Sequence, residues 1–178
     1  ARDTDHEILI GSRDADRAEE SARGYLAALD ERGVEGSVSG FENAAAAERG
    51  DVIVLAVPPY FVTETVETIE SVIGDATLIT PAVGLERDES GFHHDPPPTG
   101  SVTAQTAQTA PDEVPVVGTF HNLPASRLAD LDVDIDLDTP VVGEEGPAKE
   151  TVLGLVNAIE RLGGLDAGGI GNAPESEG

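Results

Sequence analysis

The sequence contains no cysteine and no methionine, has a single lysine, Lys149, and lacks any apolar run on the scale of a membrane span. Without cysteine, disulfides, thiolate catalysis and sulfur-rich metal sites are all excluded. Its longest apolar runs fall far short of the roughly 18 residues a spanning helix needs, and no signal-peptide pattern opens the chain. The expectation is a cytoplasmic protein with no membrane partner. An encoded start would supply a methionine, so its absence is read as trimming or truncation.

Positive charge is scarce as well: 10 lysine and arginine residues stand against 35 acidic ones, for a formal charge of −25. A nucleic-acid partner is therefore excluded, because the phosphate backbone demands a basic face. The imbalance does not signal disorder. Hydrophobic residues make up 39% of the chain and gather in runs such as Val52-Ile53-Val54-Leu55-Ala56-Val57, which implies a core. The charge fits a high-salt, halophilic cytoplasm in which counter-ions screen the self-repulsion.

What is present alternates short apolar strands with helical patterns. Strands are expected at 8–11, 37–40, 51–57, 77–80, 114–120 and 140–143. Helices are expected at 14–31, with Ala18, Ala22, Tyr25, Leu26 and Leu29 on one face, and at 42–48, 61–73, 101–109 and 147–162. Residues 84–98 read as a surface loop, 130–138 as an acidic stretch, and 164–178 as a flexible acidic, glycine-rich tail after a domain spanning 1–163. Strands alternating with helices imply an α/β fold with a doubly wound, mostly parallel, Rossmann-like sheet.

The tripeptide Gly11-Ser12-Arg13 closes the first apolar run and precedes a helix carrying Arg17. In a dinucleotide-binding unit, a small hydroxyl plus arginine at the tip of the second strand accommodates the 2′-phosphate of NADP, where an acidic residue would bond the 2′-hydroxyl of NAD. An ordinary strand-to-helix turn, with Ser12 or Asp14 as N-cap, satisfies the same residues. The first strand and its glycine-rich turn should lie about 25 residues upstream, where the chain has only Ala1 to His6. The first strand–helix unit is therefore expected to be missing.

Three further segments carry candidate site residues. His93-His94-Asp95 lacks the additional spaced ligand a metal site requires, so no metal is expected. His121-Asn122-Leu123-Pro124 follows a predicted strand at the end where parallel sheets bind ligands, although a polar strand-ending turn accounts for it too. Val57-Pro58-Pro59 is either an apolar shelf beside a flat ring or a plain loop start. No Ser-His-Asp arrangement or phosphate loop stands out.

Taken in order, His6 to Arg13, Asp51 to Pro58, His121 to Arg127, Pro140 to Gly143 and Leu165-Asp166-Ala167-Gly168 resemble the archaeal NADPH-dependent reductases of coenzyme F-420, a deazaflavin. Pyrroline-carboxylate reductases share the Rossmann half of this pattern more than its His-x-Leu-Pro segment. The resemblance implies hydride transfer between the deazaflavin and NADP, stacked face to face, with no catalytic acid or base. It also implies that Ser12, Arg13 and Arg17 hold the 2′-phosphate and that Val57, Phe61 and Val83 lie beside NADP. His121 and Leu123 would face the deazaflavin, with Ala125 where both rings approach. A homodimer is implied as well, and a C-terminal helical segment beyond Asn172 is expected to be absent. The alternatives are a degenerate or truncated NADP-binding protein without turnover, and an NADP-dependent reductase of another small substrate such as an imino acid.

The charge carries a direct test. Because the Debye length shrinks to about 3 Å at about 1 M salt, the melting temperature should rise between dilute and molar potassium chloride. Equal values would remove the halophilic reading.

Overall fold

The computed structural model describes residues 6–126 and 136–178. It divides into two compact units, one formed by the residues up to Asp51 with Thr68–Gly74 and the other by Val52–Glu67 with Asp75–Gly178.

In the first unit, β1 (Glu7–Ser12) leads into α1 (Ala15–Asp30), and the chain returns as β2 (Ser37–Glu42), parallel to β1 with Ile8 opposite Val38 and Ser12 opposite Glu42. A short helix, α2 (Asn43–Ala47), follows. Asp14 starts α1 by accepting the Arg17 amide at 3.2 Å, which satisfies one of the helix's free N–H groups. The expectation that the first strand–helix unit is missing is thus overturned: β1 and α1 form a strand–helix unit. That expectation rested on finding a glycine-rich turn, but here Ser12-Arg13-Asp14 turns the chain through hydroxyl and carboxylate caps.

The inner face of α1 is narrower than its periodicity suggests. Ala18 and Ala22 are buried, whereas Tyr25 remains 60% exposed. The small residues are needed because β2 lies close against the helix: a Cβ on Gly40 would sit 2.3 Å from the backbone of Ala18 and Glu19.

The second unit holds a five-stranded sheet in the order β3 (Val52–Val54), β4 (Thr77–Thr80), β7 (Val116–Thr119), β8 (Leu137–Gly143), β9 (Leu162–Asp166). All pairings are parallel except β7 with β8, so the sheet is mixed and the Rossmann-like α/β class holds. Every residue of β4 and β7 is buried, as expected for central strands covered on both faces. Ile79, Val117, Val141 and Leu162 from the sheet pack with Val152 and Val156 of α5 (Pro147–Asn157). Further helices are α3 (Val62–Ile69), α4 (Val102–Thr109) and α6 (Ala173–Glu177).

Several boundaries differ from the sequence reading. The strand expected at 51–57 stops at Val54. The helix expected to reach Leu162 ends at Asn157, since Leu162 is recruited into β9 beside Leu137. Residues 84–98 contain a hairpin, β5 (Leu85–Asp88) with β6 (Gly91–His94), turned by Asp88, which accepts the Ser90 amide, and by Gly91 at φ 128°. The acidic stretch 130–138 lies largely outside the described residues. Residues 164–178, read from composition as a flexible tail, carry the end of β9, a 3-10 turn (Ile170–Asn172) and α6, with Ala173 fully buried. Composition misleads there because polar contacts to distant residues, not local propensity, hold the segment.

The single lysine has a structural role. Lys149, buried in α5, donates to Glu145 at 2.9 Å and to the Gly168 carbonyl at 3.1 Å, and pairs with Asp166. Burial opposes its charge, but the bonds to Asp166 and Glu145 outweigh that cost and hold the ammonium above its ordinary range.

Gly40→Ala should destabilise the first unit by about 1–3 kcal/mol, the usual cost of overpacking, because the clash is with backbone that cannot rotate away. Denaturant unfolding of the variant measures this, and an unchanged midpoint would show that β2 and α1 can separate freely.

Candidate functional site

The carboxyl end of β1 presents the residues read as the phosphate corner. Ser12 is half-buried, and its hydroxyl accepts the Asp14 amide at 3.2 Å. Arg13 and Arg17 are exposed on either side of the Asp14 cap. Beside them, Glu42 ends β2 opposite Ser12 and caps α2 by accepting the Ala44 amide at 3.1 Å. Gly11 lies against Asn43, whose Oδ1 would be 3.0 Å from a Cβ there. A hydroxyl and two guanidinium groups within one strand-to-helix turn suit a phosphate dianion, since arginine's planar donors match its oxygens.

The second unit gathers the remaining candidates by topology. Because β3, β4 and β7 are parallel, the segments after them share one edge. Val57 and Phe61 follow β3, Val83 follows β4, and His121, Leu123 and Ala125 follow β7. This is the edge at which open α/β sheets bind ligands. Val57 and Val83 are half-buried and Ala125 is exposed. Phe61 keeps an exposed ring whose centroid is 4.7 Å from that of Tyr60, with the two ring planes tilted by 59°. Leu123 is half-buried and packs against the sheet's core cluster.

His121 is placed differently from its neighbours. Its side chain is buried, with Nε2 3.1 Å from the Thr80 carbonyl and Nδ1 3.1 Å from the Ser176 hydroxyl. Since the carbonyl can only accept, Nε2 carries a proton and donates to it. The ring thus faces inward and ties the end of β4 to α6. Burial pulls its pKa below the ordinary histidine range, while the Glu177 carboxylate, 4.0 Å from Nε2, and the Thr80 bond work in the opposite direction.

The corner around His121 is fixed by groups the sequence reading did not single out. Phe120, at φ 67°, occupies a left-handed conformation that side chains adopt at a cost of about 1–3 kcal/mol. It is held there because its amide donates to the Thr139 hydroxyl at 3.2 Å, which in turn donates to Asn122 Oδ1 at 2.9 Å. Asn122 donates to the Asp138 carbonyl at 2.8 Å. Beneath the ring, a Cβ on Gly118 would come within 2.9 Å of His121 Cε1. Glycine in β7 was the one available signal, marking a close approach.

The other histidine segment does not build a site. His93 Nε2 meets Asp88 Oδ1 at 3.0 Å and Ser90 Oγ at 2.8 Å on the exposed hairpin. A catalytic triad needs serine and aspartate on opposite ring nitrogens, whereas both partners here use Nε2. Among the described residues no group of three or more metal-ligating side chains converges, and no helix is long and apolar enough to cross a membrane.

The depressed His121 value sets a pH dependence. The unfolded chain binds this proton first as pH falls, so the stability His121 contributes is present above about 6.5, the unfolded histidine value, and is lost as pH drops toward the folded one. The melting temperature should fall on acidification from neutral pH, and His121→Gln should flatten that part of the profile. An unaltered slope in the variant would place the titrating group elsewhere.

The family described as NADP oxidoreductase coenzyme F420-dependent matches residues 1–84. The F420-dependent NADP reductase of Methanocaldococcus jannaschii is 33% identical over 171 residues, taking in 93% of this chain and 74% of that protein. Its counterpart from Methanothermobacter marburgensis is 28% identical over 170 residues, or 94% of this chain and 75% of that protein. In fold, an Arthrobacter sp. FB24 protein described as an F420-dependent NADP-reductase superposes with a TM-score of 0.77 at 23% identity, covering 97% of this chain and 78% of that one. Pyrroline-5-carboxylate reductase from Coxiella burnetii is more distant, with a TM-score of 0.53 at 16% identity over 90% of this chain and 49% of that one. With a third of the aligned residues identical along nearly its whole length, the chain belongs to the family of coenzyme F420-dependent NADP oxidoreductases.

Proposed function

We propose that this chain transfers a hydride between reduced coenzyme F-420 and NADP. The observation that carries the reading is the 33% identity to an F420-dependent NADP reductase over 93% of the chain. It is supported by the donor set at the end of β1 and by the apolar groups along the carboxyl edge of β3, β4 and β7. When bound, the two cofactors supply the redox chemistry themselves: the reduced deazaflavin gives up a hydride and a proton, and NADP takes the hydride.

The residues then have positional tasks. Ser12, Arg13 and Arg17 hold the 2′-phosphate of NADP. Val57, Phe61 and Val83 offer an apolar shelf to NADP, Leu123 lies on the deazaflavin side, and Ala125 leaves room where the two rings meet. His121 acts from behind this surface, because both its ring nitrogens are engaged inside the fold. On this reading the chain works in the cytoplasm as a homodimer. Its −25 charge favours a salt-rich setting.

The test uses both cofactors. Mixing reduced deazaflavin with NADP should change the absorbance of both as hydride passes, and no transfer would defeat the reading. In binding, Arg13→Ala should weaken NADP about 10- to 150-fold, the loss of a charge-assisted hydrogen bond. NAD, which lacks the phosphate, should bind almost unchanged. Equal weakening of both would make Arg13 structural.

A further inference from the structure

Segments distant in sequence meet around one buried carboxylate. Glu177, on the last turn of α6, is only 6% exposed. Its Oε2 accepts the Val102 amide at 2.8 Å, and its Oε1 accepts the Thr103 amide at 2.9 Å and the Thr103 hydroxyl at 2.7 Å. It therefore fills the start of α4 as an intramolecular anion, in the place where a helix favours negative charge. The same Oε1 lies 4.0 Å from Nε2 of His121. Gly118 provides the floor: a Cβ there would collide with Thr103 Oγ1 and His121 Cε1 together.

This cluster lies directly behind the ligand-facing edge. Thr80, which accepts the His121 bond, is three residues before Val83, and His121 is two residues before Leu123. Ser176 closes the circuit: with Nε2–H on Thr80, Nδ1 accepts from the Ser176 hydroxyl at 3.1 Å. A displaced His121 ring would release both strand ends at once.

We propose that Glu177 is a positioning residue: locked on the first amides of α4, it fixes the His121 ring on Thr80 and so sets the edge that receives the deazaflavin. The assignment of the ligand rests on the proposed function. The link from Glu177 to His121 does not. Glu177 is the charged side chain facing that ring among the described residues, so removing its charge alters the ring's proton affinity as well as its position.

The experiment follows the 15N-labelled chain by NMR, reading the imidazole signals of His121 against pH, alongside steady-state KM values for reduced deazaflavin and for NADP. Glu177→Gln should move the His121 midpoint to lower pH. It should also raise KM for the deazaflavin about tenfold, the loss of one charge-assisted contact, while KM for NADP stays within about twofold. An unmoved midpoint, or equal changes in both KM values, would overturn the proposal and leave Glu177 a helix cap alone. Should Glu177→Gln fail to fold, the unaltered chain still decides: His121 must be the Nε2–H tautomer at neutral pH, and an Nδ1–H tautomer overturns the arrangement. If the unaltered chain transfers no hydride, the functional reading falls, and the NMR arm by itself sustains or refutes the Glu177–His121 link.

Discussion

The buried carboxylate of Glu177 is the constraint on which the carboxyl edge of the second unit depends. It satisfies the first amides of α4, and these would otherwise be buried donors without partners, each costing about 1–3 kcal/mol. The charge is tolerable because three donors compensate its desolvation. One side chain thereby joins α6, α4 and the turn after β7. The loops on this edge are consequently supported from within.

Scarcity of cations shapes the rest. With 10 basic residues in 178, each one is conspicuous, and several are committed to internal tasks. Lys149 ties α5 to the end of β9 and to Gly168. Arg49 lies over the Phe41 ring and Arg87 over Phe92, at 4.9 and 5.4 Å from the ring centres. At the end of β1, Arg13 and Arg17 are interleaved with Asp14 and Asp16, so their charges are balanced locally.

Local chemistry was legible in the sequence wherever the cause was local. The N-caps Asp14 and Ser101 lie at the predicted helix starts, because a side chain bonding amides two or three residues ahead acts within one turn. The short strand at 77–80 is present as read. The strand-to-helix turn at Ser12-Arg13 was likewise visible, as its residues are adjacent. The hairpin at 85–94 was not, because Leu85 to Asp88 and Gly91 to His94 are exposed or half-buried and carry no apolar alternation to betray a strand.

From the sequence alone come the absence of thiol chemistry, the extreme acidity, the alternating α/β order and the phosphate-suited corner, all of them properties of composition or of neighbours along the chain. Only the tertiary structure decided that β8 runs antiparallel to β7 and that residues 162–166 form a strand rather than a helix end. It also turned the His121 ring inward and carried Glu177 from an apparent tail into the interior. The last two outcomes depend on partners 41 to 75 residues away. Contacts across such distances leave no period or spacing in the sequence, because the geometry that rewards them exists only once the sheet has formed.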